Sequence, residues 1–199
     1  MRHLGTTTLK TPRLILRRFT KADAAAMYRN WASDPAVTRF LTWPAHTDVA
    51  VSKQVLTNWI AGYENPRQYQ WAIVPHALRE SIGSISVVKI DDTIDEIQMG
   101  YCIGQYWWRQ VYTSEALEAV IRFAFTELGA NRVVAIHNVQ NPHSGGVMLK
   151  CGMQKEGVIR QGYRDNQGLG DYCLHAILPL RLGKPTELIR GVIWLGSQL

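Results

Sequence analysis

An apolar stripe with helical spacing in the middle of the chain is the feature that most restricts its possible folds. Residues 112–128 carry apolar side chains three or four positions apart, and Gly129 follows them. This spacing predicts an amphipathic helix that buries one face and ends at the glycine. The alternating apolar residues of segment 94–103 and the apolar run 132–138 predict strands before and after it. The helix is therefore expected to pack on a sheet.

Further helices and strands are predicted on both sides of this segment. Capping residues and periodicity predict helices at residues 21–32 and 48–61, and a short helix that starts at Asn141-Pro142 and stops at Gly152. Strands are predicted at residues 14–19, 69–74, 82–90, 153–161 and 172–178. The order β, α, α, β, β, β, α, β, α, β, β favours an α/β fold, in which a mixed sheet carries helices on both faces.

One domain is expected over residues 1–180, followed by a tail of unknown role, residues 181–199. With 199 residues the chain can bury a sizeable core. It has no apolar run of the roughly 20 residues that span a bilayer and no apolar signal core near Met1, so a cytoplasmic protein without a membrane partner is expected. The three cysteines are scattered and form no CxxC pair, so neither a metal site nor a disulfide framework is expected.

The net charge of +6 favours polyanionic partners. Nucleic acid and small ligands with several phosphates both fit this charge, as does a generically basic surface without a specific partner. The basic residues are scattered, and the sequence contains no RNP-like aromatic motif, zinc finger or helix-turn-helix pattern. Nucleic acid is therefore the less favoured partner.

The loop before the central helix has features of a phosphate site. It joins a predicted strand to the helix start near Tyr112, and Arg109 adds a positive charge there. Backbone N–H groups in the first turn of a helix lack partners within the helix, and together with the helix dipole they bind phosphate. A phosphate-binding loop is therefore predicted, with an ordinary strand-to-helix loop as the alternative.

Four short stretches together resemble the GNAT superfamily of acetyltransferases. They are Ile-Gly-Ser-Ile at 82–85, Gly-Tyr-Cys-Ile-Gly at 100–104, Thr-Ser-Glu-Ala-Leu at 113–117, and the segment 141–153. Their order and spacing are most similar to the branch that contains the ribosomal-protein N-terminal acetyltransferases. The resemblance implies a mostly antiparallel sheet with splayed middle strands. It also implies an enzyme that moves an acetyl group from acetyl-CoA directly to an amine of a protein, peptide or small molecule.

The resemblance further implies which residues take part. The pantetheine arm would lie between strands 97–103 and 133–139, and loop N–H groups would bind the pyrophosphate. The implied cofactor-binding residues are Met99, Tyr101, Arg109, Gln110, Val111, Tyr112, Thr113, Ser114 and Asn141. Ser144 matches a serine that lies near the thiol and gives it a hydrogen bond or a proton.

Three residues depart from the pattern of that family. Arg109 and Val111 occupy positions that are normally glycine; if position 111 needs a positive φ, valine there costs about 1–2 kcal/mol. Gln98 stands where a glutamate is frequent, and Gln cannot act as a base. Glu96, two residues earlier on the same strand face, is the predicted base in its place. Since an α-amine loses its proton more readily than a lysine, α-amine acceptors are favoured.

Several other side chains have a structural and a functional interpretation. His137 and His143 flank Asn141, but the pair lacks a third metal ligand, and His137 is at most an alternative base. Cys102 and Cys151 are expected to pack in the core, because no context marks either as an activated nucleophile.

The acceptor is not fixed by the sequence. Residues 32–62 and 162–171 are expected to build its site. Tryptophans that either line this site or fill the core are Trp31, Trp43, Trp59 and Trp71. The apolar segment 188–195 either packs on the domain or joins a second copy in a homodimer. An alternative to the enzyme is a degenerate GNAT fold, altered at Val111 and Gln98, that binds an acyl-CoA or a partner without turnover.

Overall fold

The computed structural model describes residues 1–179. The strands are β1 Leu9–Lys10, β2 Leu14–Arg17, β3 Gln70–Pro75, β4 Gly83–Asp91, β5 Glu96–Ile103, β6 Arg132–Asn138, β7 Gln154–Asp165 and β8 Gly168–Ile177. They form one eight-stranded sheet in the order β1-β2-β3-β4-β5-β6-β8-β7. The tail 181–199, with its apolar segment 188–195, lies outside the described residues.

The sheet is mixed and mostly antiparallel, as predicted. Strands β5 and β6 are parallel, and the other neighbouring pairs of the described strands are antiparallel. A parallel pair needs a crossover connection, usually a helix. Here the crossover contains the central helix α4, Tyr112–Phe123.

The other helices are α1 Ala24–Met27, α2 Pro35–Thr38, α3 Val49–Gly62 and α5 Pro142–Lys150. They lie on both faces of the sheet. Strand β3 shows this, because its successive residues point into two different cores. Trp71 and Ile73 pack in the cluster that contains α4 and α5 residues. Ala72 and Val74 pack in the cluster that contains residues of α1 and α3. No helix among residues 1–179 combines the length and apolar character that a bilayer crossing requires.

The central helix α4 buries the apolar stripe that predicted it. Of the predicted stripe residues, Phe125 is half-buried. The others are 0–6% exposed: Leu117, Val120, Ile121, Ala124 and Leu128. The last turn, Ala124–Leu128, winds as a π-helix. Gly129 then ends the helix in the left-handed region, at φ 71°, a conformation that glycine adopts without steric cost.

Three local features differ from the prediction. Strand β1 has two residues, too few to leave a periodic pattern. Pro35 follows the predicted first helix and starts the short helix α2, which was not predicted; the missing N–H of proline has no intrahelical partner to lose at that position. Strand β7 continues to Asp165, well beyond the predicted end at residue 161. This extension was missed because most side chains on both faces of the strand are exposed, so the sequence shows no alternation of apolar and polar residues.

Candidate active site

The two parallel strands separate at their carboxyl ends. Strands β5 and β6 pair from Glu96 and Arg132 up to Met99 and Ala135. Beyond that point, residues 100–103 of β5 pair with β4, and residues 136–138 of β6 pair with β8. We term the opening between residues 100–103 and 136–138 the wedge. The predicted splay of the middle strands is confirmed.

A β-bulge in β4 explains where the wedge begins. The register between β4 and β5 shifts between Val87 and Lys89, and Val87 is the partner of Met99. The extra residue, Val88, lies over Gly100: a Cβ atom on Gly100 would be 2.8 Å from the Val88 Cγ1. A bulge bends and twists its strand. Strand β5 therefore turns away from β6 at the residue where their pairing stops.

The first turn of α4 offers backbone N–H groups to a ligand. The Glu115 N–H donates to the Val111 carbonyl at 3.0 Å and starts the hydrogen-bond ladder of the helix. The N–H groups of Tyr112, Thr113 and Ser114 precede this ladder, so they have no intrahelical acceptor. These residues belong to the predicted pyrophosphate loop.

Aromatic residues fix this loop at the open end of the wedge. The Trp108 Nε1–H donates to the Ile103 carbonyl, the last residue of β5, at 2.9 Å. Trp107 packs on Gly104, where a Cβ atom would be 2.7 Å from the indole ring. The two tryptophans therefore anchor the loop to the end of β5. The wedge consequently opens next to the N-terminus of α4.

Two residues of the loop adopt a conformation that favours glycine. Arg109 has φ 62° and Val111 has φ 69°. Val111 is in the left-handed region, with ψ −2°, and is the N-cap residue of α4. The condition stated for strain at position 111 is therefore met, and the cost relative to glycine is about 1–2 kcal/mol. The strained residues bracket Gln110, in the loop predicted to meet the pyrophosphate.

Arg13 holds the same loop, although the sequence analysis did not identify it. Its Nε–H donates to Glu115 Oε2 at 2.6 Å, and its Nη1 donates to the Gln110 carbonyl at 3.1 Å. Its guanidinium also lies 4.6 Å from the centre of the Tyr112 ring. Burial alone would raise the pKa of Glu115, but hydrogen bonds from Thr11 and Arg13 outweigh it and lower that pKa below its usual value.

Tyr101 and Ser144 come together beside the wedge. The Tyr101 hydroxyl donates to the Ser144 carbonyl at 2.9 Å, and the Ser144 hydroxyl donates to Tyr101 Oη at 3.1 Å. Burial raises the pKa of Tyr101 above its ordinary value, so the phenol keeps its proton at neutral pH. Both hydroxyl protons are used within this pair, so Ser144 can donate to an anion only after its hydroxyl rotates away from Tyr101.

Asn141 and Met99 differ in what they offer. Asn141 precedes α5, and its side chain makes no capping hydrogen bond within residues 1–179. Its amide is therefore free to contact a ligand. Met99 is 2% exposed and packs in the core, so its backbone, at the apex of the wedge, is the part that can contact a cofactor.

Glu96 requires a correction. It pairs with Arg132 at the closed end of the two strands, and its Oε2 accepts from the Arg132 Nε–H at 2.7 Å. Four residues separate it from Gly100, or about 13 Å along an extended strand. Glu96 is therefore not placed to act as a base at the wedge in place of Gln98, because it is distant from the wedge and forms an ion pair with Arg132.

Two segments that were expected to build the acceptor site do meet. Asn166, at the tip of the β7–β8 hairpin, donates from its side chain to the carbonyls of Thr38 and Trp43 at 2.8 and 2.7 Å. Its neighbour Asp165 accepts from the Asn138 amide at 2.8 Å, and Asn138 ends the β6 side of the wedge. The hairpin tip therefore connects the wedge to the loop after α2.

The tryptophans divide between core and surface. Trp31 and Trp71 are fully buried in the two cores, whereas Trp43 and Trp59 are half-buried. Trp43 and Trp59 both pack against the second core. Trp43 also accepts from the hairpin tip through its backbone carbonyl, and a role of its side chain in an acceptor site stays a prediction.

The two cysteines near this region behave as packing residues. Burial raises the pKa of Cys102, and it raises that of Cys151 to about 12. A thiol with a raised pKa is a poor nucleophile because it stays protonated. The Cys151 S–H donates to the Ser114 carbonyl at 3.3 Å and links α5 to the first turn of α4.

Comparison with known proteins decides the family. Residues 13–154 match the family model described as acetyltransferase (GNAT) domain. The chain belongs to the GNAT acetyltransferase family. The match spans β2 through α5 and thus includes the wedge, the predicted pyrophosphate loop and Ser144.

Individual relatives align with this chain over most of its length. The uncharacterized N-acetyltransferase YoaA of Bacillus subtilis is 31% identical over 179 residues, which are 90% of this chain and 98% of the relative. The structure of the ribosomal alpha-N-protein acetyltransferase RimL, solved with coenzyme A, superposes with a TM-score of 0.77 at 19% identity. The superposition covers 86% of this chain and 98% of the RimL chain. The microcin C7 self-immunity acetyltransferase MccE, solved with acetyl-CoA and AMP, has a TM-score of 0.76 at 18% identity, over 85% and 94% of the two chains.

Proposed function

We propose that this protein is an acetyl-CoA-dependent N-acetyltransferase that transfers the acetyl group directly to an amine. The observation that carries the proposal is a wedge between two parallel strands that opens next to the unpaired N–H groups of α4. Coenzyme A joins a linear amide arm to a pyrophosphate, and these two features accept those two parts. GNAT neighbours solved with coenzyme A or acetyl-CoA support the assignment.

The cofactor contacts follow from the site. The pantetheine amides pair with the unpaired backbone edges of the wedge, in the manner of an added strand. The pyrophosphate binds the N–H groups of the loop and first turn, residues 110–114, with Arg109 as an exposed cation nearby. The Asn141 amide contacts the pantetheine arm. The thioester then lies near the apex of the wedge, at Met99.

The reaction is attack of a neutral amine on the thioester carbon, without a covalent enzyme intermediate. A backbone N–H near the apex, at residues 97–99, stabilises the oxyanion. The C–S bond breaks as the tetrahedral intermediate collapses, and the coenzyme A thiolate leaves. Ser144, supported by Tyr101, donates a hydrogen bond or a proton to that thiolate.

We propose α-amines as the acceptors. At pH 7 deprotonation costs about 1.4 kcal/mol for an α-amine of pKa near 8 and about 4.6 kcal/mol for a lysine of pKa near 10.4. Gln98 cannot act as a base, and the Glu96 carboxylate is engaged by Arg132. A site without a strong base favours the amine that needs the least help. The Ser144 and Asn166 regions then form the two ends of the acceptor path.

The decisive experiment separates cofactor binding from acceptor choice. Calorimetric titration with acetyl-CoA is expected to give a Kd in the micromolar range, about −8 kcal/mol. Mass spectrometry then compares peptides with a free N-terminus and no lysine against N-terminally blocked peptides with one lysine. Acetylation of the free N-termini alone supports the proposal, while equal rates on both sets would contradict the α-amine preference. No binding at millimolar acetyl-CoA would remove the proposed activity.

A degenerate GNAT fold that binds acyl-CoA without turnover is the second candidate, and the strained Val111 favours it. It predicts measurable binding of acetyl-CoA with no product on any acceptor tested. Partial or full activity on a free N-terminus excludes it.

A further inference from the structure

Three potential metal ligands meet beneath α5. His137 on β6 and Cys173 on β8 are cross-strand partners, and His175 lies two residues further on the same face of β8. One ligand atom from each of the three lies within 4.8 Å of the others. His175 and Cys173 are 2% and 4% exposed, and His137 is half-buried. The side chains therefore form a compact, largely water-free cluster between the sheet and α5.

The hydrogen bonds of the two histidines leave ligand atoms available. Among the described residues, His175 Nδ1 is buried without a hydrogen-bond partner, which costs stability unless another group satisfies it. His137 Nδ1 lies 2.9 Å from the Asn138 carbonyl, and such a bond to a backbone carbonyl typically fixes a metal-binding imidazole. Its other nitrogen, Nε2, faces Gly145, where a Cβ atom would be only 2.6 Å away. Glycine is thus the residue that leaves space there.

We propose that His137, Cys173 and His175 bind one Zn²⁺ ion. Two imidazoles and a thiolate are the ligand types that Zn²⁺ prefers, and three protein ligands leave the fourth tetrahedral position to water. Bond lengths of about 2.0–2.1 Å to nitrogen and 2.3 Å to sulfur place neighbouring ligand atoms roughly 3.5 Å apart. Small side-chain rotations therefore close the observed cluster around an ion.

Lys155 on β7 is the cross-strand partner of His175. Its side chain is exposed, so solvent screens its charge from an ion in the cluster. Zn²⁺ binds the thiolate form of cysteine and the neutral form of histidine. Binding releases the thiol proton of Cys173 to solvent. The sequence predicted no metal site because His137 and His143 lack a third ligand. In the structure, the ligands near His137 are instead Cys173 and His175 of β8.

The ion would link β6 to β8 beneath α5, where Gly145 packs on the His137 ring next to Ser144. The site uses side chains that face away from the acceptor hairpin contact of Asn138. The inference is tested by metal binding itself, without an activity assay.

The test is a titration of the purified, reduced and metal-free full chain with Co²⁺. We expect one Co²⁺ per chain, a thiolate-to-cobalt charge-transfer band and tetrahedral d–d absorption, with both signals lost when Zn²⁺ is added. Zn²⁺ alone is expected to raise the thermal unfolding midpoint. Cys173→Ser should abolish the charge-transfer band and the thermal shift.

Matched controls come from the same chain. Cys102→Ser and Cys151→Ser remove the other two cysteines and should leave the cobalt spectrum unchanged, and His143→Ala should do the same. If Cys173→Ser does not fold, His137→Gln, at the least buried ligand, should still weaken Co²⁺ binding at least tenfold. Absence of a charge-transfer band at saturating Co²⁺, or its persistence in Cys173→Ser, overturns the proposal.

Discussion

Tyr101 and Ser144 form two hydrogen bonds with each other, one to the Ser144 backbone carbonyl and one from its hydroxyl, and so join β5 to α5 beside the wedge. The Ser144 proton reaches a leaving group only if the pair reorients together. Ser144→Ala is expected to lower kcat by about 10²-fold, at the low end of general acid catalysis. The KM for acetyl-CoA should change little, because the interaction strengthens as the thiolate forms.

Tyr101→Phe serves as the companion variant. It removes one hydroxyl and keeps the ring, so kcat should fall less than in Ser144→Ala. The double variant should be no worse than Ser144→Ala, because both hydroxyl groups act through one network. Thr126→Ala, which removes an exposed hydroxyl bonded within α4, is the control. Additive losses in the double variant would show that the two residues act separately.

Val111→Gly is expected to tighten binding of coenzyme A. The backbone at position 111 has φ 69°, and release of about 1–2 kcal/mol of strain corresponds to roughly 5–30-fold in affinity if it is expressed in binding. Calorimetry measures the change. Val111→Ala keeps a Cβ atom and the same strain, so it should bind like the wild type. Equal gains in both variants would point to side-chain bulk instead.

Arg13→Ala is expected to weaken acetyl-CoA binding about tenfold, or about 1.4 kcal/mol. The variant leaves the Glu115 carboxylate, whose side chain is 15% exposed, without its cation in the first turn of α4, next to the proposed phosphate site. It also frees the Gln110 carbonyl. Glu115→Gln in the same background should restore part of the affinity. Arg2→Ala, at a side chain 67% exposed, should have no effect.

The ion pair between Arg17 and Asp23 predicts that the protein loses stability at acidic pH. Arg17 donates to both Asp23 oxygens at 2.8 Å, and Asp23 is 5% exposed. Burial would raise the pKa of Asp23, but the hydrogen bonds from Arg17 and Thr20 lower it overall. A carboxyl group with a lowered pKa stabilises the fold above its unfolded pKa, about 3.9. That contribution is lost as the pH falls through the lower, folded pKa.

Asp23→Ala should therefore lower the free energy of unfolding by about 3 kcal/mol at pH 7, and by much less near pH 2. Denaturant titrations at several pH values measure both. Glu118→Ala breaks the exposed pair with Arg122 and should cost less than about 0.5 kcal/mol at any pH. An Asp23→Ala effect independent of pH would mean that packing, and not charge, is lost.

Periodicity and capping residues were sufficient for the order of the main elements. The apolar stripe of α4 and the alternating residues of β5 indicate which side chains are buried. Both elements and their buried faces were therefore predicted. Alternation gives no information on where two strands stop pairing. Glu96 was assigned to the site for that reason, since its face was known and its distance from the wedge was not.

Contacts between distant segments escaped prediction for a related reason. Arg13 and Glu115 lie 102 residues apart, and each alone resembles an ordinary surface charge. His137 stands next to Cys173 only because β8 inserts between β6 and β7 in the sheet. The order of strands was not available from the spacing of the sequence, so the cluster had no pattern to reveal it.

The bulge at Val88 also affects how the protein behaves without its cofactor. It creates two strand edges inside the sheet, and such edges usually invite another chain to add a strand, which leads to aggregation. A complete strand needs about 4.8 Å to each neighbour, and these edges converge to direct pairing at Met99 and Ala135. A polypeptide strand therefore cannot enter to full depth. The narrowing towards Met99 and Ala135 makes the wedge a poorer template for an added polypeptide strand than an open sheet edge of the same length.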